Sequence, residues 1–487
     1  MTADVVISGG GPNGLLLACE LRLGGVHPVV LEKLPERSTV PRANGLVGRV
    51  LEALDHRGLY EPLAGRPGPP DPTPFFTFGG LQLDLRNLDP NPLHTLLVPQ
   101  ARIEQVLEER ALELGVEIRR GHELTALRQD ADAVTLDVSG PEGGYRLRAR
   151  HLVGADGGHS LVRKQTGIGF PGITDDRVTS RAAHAVVPEA LLAELAGRGL
   201  PPFFHNRLPG GSFTYAQMPH RPGVHIVSVT EGDHPPVPDG TPMTLGELRD
   251  AAHRVLGTDL ALVLGEPPAS DAGPPMLRRT TGVNSRQADT YRSGRVLLLG
   301  DAAHVHSAMG GPGLNLGLQD ALNLGWKLAA EINGWAPPGL VDTYESERAP
   351  VSRRVLMHTR AQSALVAPGD NITALRELFT ELLGDTGTLR RIAALMAGTD
   401  VPYGRWLSTA PVPGLLWRAR PALLTSTGDG RAAAVAAGWK DRVDLVPVPR
   451  GPGPVAVLVR PDGYVAYEGD ASDGLREALT RWFGDER

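Results

Sequence analysis

Asp4-Val5-Val6-Ile7-Ser8-Gly9-Gly10-Gly11-Pro12-Asn13-Gly14 runs on through a Leu/Ala-rich segment, Leu15 to Leu23, to Gly24-Gly25 and then to Pro28-Val29-Val30-Leu31-Glu32. This stretch decides the fold. A short apolar strand meets a glycine cluster. A helical segment follows, capped by glycine, and then a second buried strand: a parallel βαβ unit. Gly9, Gly11 and Gly14 fit G-x-G-x-x-G in the strand–helix context that the motif requires. Gly9 permits the tight turn, Gly11 lets a pyrophosphate approach the backbone, and Gly14 lets helix and strand pack closely. The helix N-terminus attracts the anion. Glu32 ends the second strand at the spacing of an acid that accepts hydrogen bonds from an adenosine ribose. A dinucleotide is expected here, and NAD(P) and FAD both fit this unit.

Further along, residues 64–74 read as loop, Leu81, Leu83 and Leu85 as a half-buried strand, and Gln100 to Gly115 as a helix. Val116–Ile118, Ala133–Val138 and His151–Ala155 read as strands. From 171 to 285 strand-like pieces (Gly211–Met218, Val224–Val229) alternate with Pro/Gly turns, and a short helix is expected at 246–256. Arg295–Leu299 returns to the buried parallel type. Helices are expected at Asn315–Glu331, 339–366 and 373–397, and a hairpin at Val455–Tyr467. The expected class is α/β. Residues 1–170 are expected to form the first part of a Rossmann-type nucleotide-binding domain and 171–285 an inserted β-rich domain. Residues 286–366 form the second part with long helices, and 367–487 a helical linker with a small last domain.

Composition limits the function. The 487 residues suit about two to four domains. The 60 glycines and 43 prolines, about a fifth of the chain, stay below the level of low-complexity disorder. A net charge of −6 without a Lys/Arg block argues against nucleic acid. The single cysteine, Cys19, rules out an intramolecular disulfide and a Cys-based zinc site, and suits a reducing compartment. No basic n-region or membrane-length apolar run is present, so a cytoplasmic chain without a membrane partner is expected. His304-x-His306 has no further ligand cluster near it in sequence, and no metal is expected. Tyr215, Gln217 and His225 in the β-rich insert are candidates for lining a substrate cavity, although a period of two cannot say which face looks inward.

Two later motifs narrow the cofactor. Asp156-Gly157-Gly158-His159-Ser160, with Arg163 after it, presents a carboxylate at the carboxyl edge of a sheet, where ligands bind. Arg295-Val296-Leu297-Leu298-Leu299-Gly300-Asp301-Ala302-Ala303-His304 is followed by Gly313-Leu314-Asn315. With the glycine fingerprint, these resemble the Asp-Gly and Gly-Asp motifs of the group A flavin-dependent aromatic hydroxylases. Within these, the likeness is to the bacterial aromatic polyketide hydroxylases and rifampicin monooxygenase. The resemblance covers residues 1–366. The 457–467 segment also looks like the thioredoxin-like C-terminal domain of the phenol-hydroxylase branch, here without a Cys-x-x-Cys.

The resemblance implies FAD as cofactor and NAD(P)H as a transient co-substrate, with O2 and a small polycyclic aromatic as the other reactants. It implies oxygen transfer through a flavin C4a-hydroperoxide, with no protein nucleophile. A catalytic base is not named by it. Gly9, Gly11, Asn13, Gly14, Glu32, Lys33, Arg42, Gln100, the backbone at Leu124, Asp156, Asp301, Gly313, Leu314 and Asn315 match the family's flavin positions. Asp301 would meet the ribityl chain, and the helix near Leu314 the pyrimidine edge of the isoalloxazine. Baeyer–Villiger insertion and antibiotic-inactivating, rifamycin-like hydroxylation share these motifs. A flavin-bound reductase or redox sensor is the reading of another class. Homodimerisation is open to the chain. Ala308 and Pro312 depart from relatives that carry proline and glutamine there, which bears on how the flavin moves.

Overall fold

The computed structural model describes residues 2–38, 45–68, 70–203, 205–218, 221–232, 237, 241–265, 276–407, 412, 414–427, 430–449, 456–471 and 473–487. Arg42 lies outside them. The first strand, Thr2–Ser8, is central. It pairs in parallel with Pro28–Glu32 on one side and with the second half of Gly143–Gly154 on the other. Outside these lie Glu117–Arg120 and Val296–Leu298, both also parallel. Val5, Val6 and Ile7 are fully buried, as befits a parallel strand covered on both faces. The helix Pro12–Leu23 and the long helix Pro312–Ile332 pack together on one side. Because the five strands run the same way, the ends at Ser8, Glu32, Gly154 and Leu298 open on one edge of the sheet, the edge at which such folds bind ligands.

The strand expected at His151–Ala155 is the last third of a 12-residue strand. Its first half pairs antiparallel with Val134–Gly140 (Leu147 opposite Leu136) before the second half turns parallel to the first strand. The helical stretch expected at 373–397 is two helices, Asp370–Leu383 and Thr386–Ala397. Asp385 accepts the Thr388 N–H at 2.7 Å and so starts the second.

The β-rich segment builds a seven-stranded sheet around Gly172–Val186, which pairs with Val224–Glu231 and Leu277–Gln287. Helices Glu189–Gly197 and Leu245–Leu256 cover one face. Their Leu195, Leu248 and Ala251 pack on Ala183, Phe213, Tyr215 and Val227. The short strand His304–Val305 joins this sheet through Gln287 and Arg286, and so ties it to the Gly-Asp stretch.

In the last segment Ala422–Ser426 runs parallel to Asp444–Val448, with the helix Gly430–Val435 between them in sequence. The hairpin Ala456–Val459/Tyr464–Gly469 and the helix from Asp473 to Phe483 complete it. A βαβ unit followed by a hairpin and a helix is the thioredoxin-like order. Its hairpin turn enters the main body. Arg460 donates to both Glu347 carboxylate oxygens at 2.7 and 2.8 Å and to Asp462 Oδ1 at 2.9 Å. Asn323 donates to Glu347 and Asp462, and Lys327 Nζ donates to Glu347 Oε2 at 2.7 Å. The Pro461 carbonyl accepts from Arg57, whose guanidinium also grips Glu20 on the first helix at 2.6 and 2.8 Å. Lys327, Glu347, Arg460 and Asp462 are all buried, so the charges balance within the cluster, as burial demands. Burial opposes ionisation of Glu347. Arg460 and Lys327 overcome it and hold its carboxyl at about 2.

No helix among the described residues is long and apolar enough to cross a membrane.

Candidate functional site

At the sheet edge, Gly9 turns the chain with a φ of +112° and bonds the Leu31 carbonyl through its N–H. The left-handed region and the close backbone at Ala155 both require glycine there. The first turn of the Pro12–Leu23 helix has Gly11 at its N-cap and no side-chain cap, so its amides remain available. Open space lies where a Gly11 side chain would be. Glu32 accepts the Gly10 N–H at 2.8 Å and the Leu34 N–H at 2.9 Å, which fixes the acid at the end of the second strand. Lys33 follows it, exposed.

The two later motifs meet this edge and each other. Asp156 Oδ2 accepts the Val162 N–H at 3.1 Å. Arg163, buried, donates to the Ala302 carbonyl at 2.7 Å and the Gly158 carbonyl at 2.8 Å, with its guanidinium over the Phe170 ring. One side chain therefore fastens the Asp-Gly loop to the Gly-Asp turn, where Asp301 stands exposed on Gly300–Ala302. Arg163→Leu would remove the donor from the buried Ala302 carbonyl, about 1–3 kcal/mol, and from the half-buried Gly158 carbonyl. We expect its FAD dissociation constant, measured by flavin fluorescence, to rise at least tenfold; an unchanged constant would contradict the fastening.

The long helix starts at Pro312 with Gly311 as N-cap and again no side-chain cap. Pro312, a departure from the resembled family, sits at N1, where a missing N–H costs nothing. The amides of Gly313 and Leu314 are thus free to meet an electron-rich edge. Asn315 accepts the Val47 N–H at 2.9 Å and donates to the Gly311 carbonyl at 2.7 Å, closing the turn. Gln100 opens the helix Gln100–Glu113 and donates to Glu104. Leu124 is buried beside an irregularity of its strand pairing.

A flavin dinucleotide fits these residues. Two uncapped helix N-termini, the open space over Gly11, and the buried Asn13 Oδ1 and Asp156 Oδ1, which have no hydrogen-bond partner among the described residues, are the donors, room and acceptors that such a group needs.

Tyr215 and His225 are not brought to this edge. Tyr215 lies in the helix-covered core, its hydroxyl donating to the Leu200 carbonyl, and its ring contacts His225 on the same face. Gln217 is exposed, opposite His225 in register. The opposite face of the sheet carries hydroxyls instead. Thr230 Oγ1 donates to Ser180 Oγ at 3.2 Å, Ser180 and Ser228 lie 3.4 Å apart, and Thr214 Oγ1 is 3.1 Å from His205 Nδ1. Strict alternation through Phe213 and Val227 would have identified this face once one core residue was known.

A second group that the sequence reading missed stands behind the flavin turn. His304 Nε2 lies 2.7 Å from Asp320 Oδ2, and Arg348 donates to Asp320 Oδ1 at 2.7 Å, all buried. Burial would raise the Asp320 carboxyl; Arg348 and His304 hold it below its ordinary value. The signal was a polar stripe, Asp320, Asn323 and Lys327, at helical spacing in an apolar helix.

His358, beside the 306–311 loop, and His56, stacked on Trp406, are both lowered to about 4. Burial is the main cause, aided by Arg57 and Arg49 at His56 and by His306 and Arg354 at His358. The unfolded chain therefore takes up these protons first. Stability is fully present above about pH 6.5 and is lost as pH falls toward 4. Melting temperature recorded from pH 8 to 4.5 should fall below pH 6.5, less steeply for His56→Gln.

Comparison with known proteins adds two family matches: the FAD binding domain over residues 2–359 and the aromatic-ring hydroxylase C-terminal domain over 395–485. The chain is 43% identical over 518 residues to 12-dehydrotetracycline 5-monooxygenase/anhydrotetracycline 6-monooxygenase of Streptomyces rimosus, covering 99% of each. It is 40% identical over 500 residues to the rifampicin monooxygenase of Streptomyces venezuelae, covering 99% of this chain and 98% of that protein. The structure of the OxyS anhydrotetracycline hydroxylase from Streptomyces rimosus superposes over 100% of both chains with a TM-score of 0.85 at 40% identity.

Proposed function

The chain belongs to the FAD-binding aromatic-ring hydroxylases and is a flavin-dependent monooxygenase; from that premise, we propose that it uses NAD(P)H and O2 to hydroxylate a polycyclic phenol or quinone of polyketide type. The convergence of Gly11, Asp156, Asp301 and the uncapped Pro312 helix on one sheet edge carries this reading.

Bound FAD would supply the redox and oxygen-transfer chemistry, with one oxygen atom of O2 destined for the ring and the other for water. The chain's own part is to bind, orient and exclude solvent. The first helix would hold the pyrophosphate, Glu32 the ribose and Asp301 the ribityl chain. The amides at Gly313 and Leu314 would stabilise negative charge gathering at the pyrimidine edge. Ser180, Ser228, Thr230 and Thr214 offer hydroxyls to the oxygens of a polycyclic substrate. Asp320 holds His304, and with it the start of the loop beside the ring.

The relatives named above are monooxygenases of 12-dehydrotetracycline, anhydrotetracycline and rifampicin, which favours a fused-ring substrate. Visible spectra before and after NADPH, with a panel of polycyclic phenols and product masses, test the proposal. Faster bleaching with one phenol and a gain of one oxygen support it. Bleaching that no phenol accelerates would overturn the phenol and point to another substrate class. Insertion of oxygen between ring carbons, read from the product, would instead indicate Baeyer–Villiger chemistry.

A further inference from the structure

On the side of the Leu277–Gln287 strand that faces the Asp342–Val366 helix, the structure opens a cleft of about 420 Å³. That is within the range of small-molecule sites, about 300–1,000 Å³. None of its lining residues is among the positions assigned above to the flavin. Asn284 and Arg286 alternate to the other side of the strand, where they meet Thr174 and Phe170. Ser285 and Gln287 point into the cleft.

Three observations mark it as a ligand site. Ser285 is only 6% exposed, yet its hydroxyl has no partner among the described residues, and neither has the buried Gln287 Oε1. An orphaned buried hydroxyl costs free energy unless something meets it. Arg353 and Arg360 line the cleft and make no ion pair or hydrogen bond among the described residues. Against them stands one carboxylate, Asp289, so the lining carries an excess positive charge. Finally, Ile173 and Met357, 46% and 47% exposed, supply apolar walls. A bare inorganic anion would leave these wet.

We propose that this cleft binds a ring-bearing organic anion, an aromatic carboxylate or phenolate of two or three fused rings. Seven helical residues set Arg353 and Arg360 about 10 Å apart along the axis, a span suited to such a molecule. One guanidinium pairs with the anionic group and the other lies over the ring. Met357 and Ile173 take the ring's faces. Ser285 and Gln287 bond its oxygens, and Asp289 accepts from a ring hydroxyl.

The test uses FAD-loaded full-length protein labelled with 13C at the methionine methyls. Met357 is assigned by Met357→Leu, and Met309, in the turn before the Pro312–Ile332 helix where the flavin is expected, by Met309→Leu. Titration with 2-naphthoate should move the Met357 signal saturably. 2-Naphthamide should bind at least tenfold more weakly, and so should 2-naphthoate to Arg353→Gln/Arg360→Gln, whose flavin spectrum should match the parent's. A shift at Met309 alone would place the ligand in the flavin site and overturn the proposal. Equal response to inorganic phosphate would reduce the cleft to a simple anion site, and unchanged affinity in the double variant would remove the arginines; either result also overturns it.

Discussion

Purified Gly14→Ala protein is expected to be colourless. A methyl at this position would lie 2.1 Å from the Gly9 carbonyl oxygen and 3.3 Å from Ile7. Neither neighbour can give way: one is backbone held by the sheet and the other is fully buried. The first helix must move off the strand, and its N-terminal amides leave the place where a pyrophosphate would sit. FAD affinity should fall at least a hundredfold, about 2.7 kcal/mol. Gly11→Ala separates the two roles of the loop. Nothing lies within 4 Å of its added methyl, and Gly11 already has φ −76°. That variant should melt, without FAD, like its parent, while its FAD affinity still drops because the methyl occupies the open space over the amides. Equal affinities for Gly11→Ala and the parent would disprove a pyrophosphate there.

The second large effect is expected at Arg460, which lies 94 residues beyond Val366, the end of the last helix of the flavin body, and is 1% exposed. Arg460→Met removes the cation that faces Glu347 and Asp462 and leaves two buried carboxylates with Lys327 alone. Breaking a buried pair on one side costs about 3–5 kcal/mol, so for a chain of this length thermal unfolding should shift down by roughly 3–5 °C. Glu347→Gln alone should also destabilise. Arg460→Met with Glu347→Gln should cost less than the sum of the two, because the second change removes a charge that the first stranded. Additive losses would show that the residues do not form one network. If the single variant is insoluble, the same comparison is available with Arg460→Lys, which keeps the charge but loses the two-pronged grip on Glu347.

What the sequence made legible is what the chain encodes locally. The glycine loop, Glu32, the Asp-Gly and Gly-Asp turns and the helix at Leu314 each lie within a few residues of a strand end, and the parallel sheet brings those ends together. The 143–154 strand was harder to read because it changes partner and direction of pairing midway, which no periodicity records. Tyr215 and His225 could not be assigned to a face for a different reason. Alternation divides a strand into two faces but does not say which one the helices cover, and two helices separated in sequence from these strands made that choice. The joining roles of Arg163, Asp320 and the Arg460 cluster were hidden for a third. Each joins segments tens to hundreds of residues apart, and an arginine in a surface loop reads the same as an arginine in a buried joint. In Asp320, Asn323 and Lys327 the evidence was present as a polar stripe, but its partners could not be named without the fold.

The hairpin turn at 460–463 has a consequence for engineering. It is gripped by Arg57 and, through it, Glu20 of the first helix, and by Asn323 and Glu347 of the two long helices, so the last segment is not an interchangeable module. A chimera that exchanges this segment with that of a relative must carry matching residues at all four positions. Otherwise the graft meets its host with unpaired charge at the joint. Compatibility between parents should therefore be judged at these few positions before overall similarity is considered.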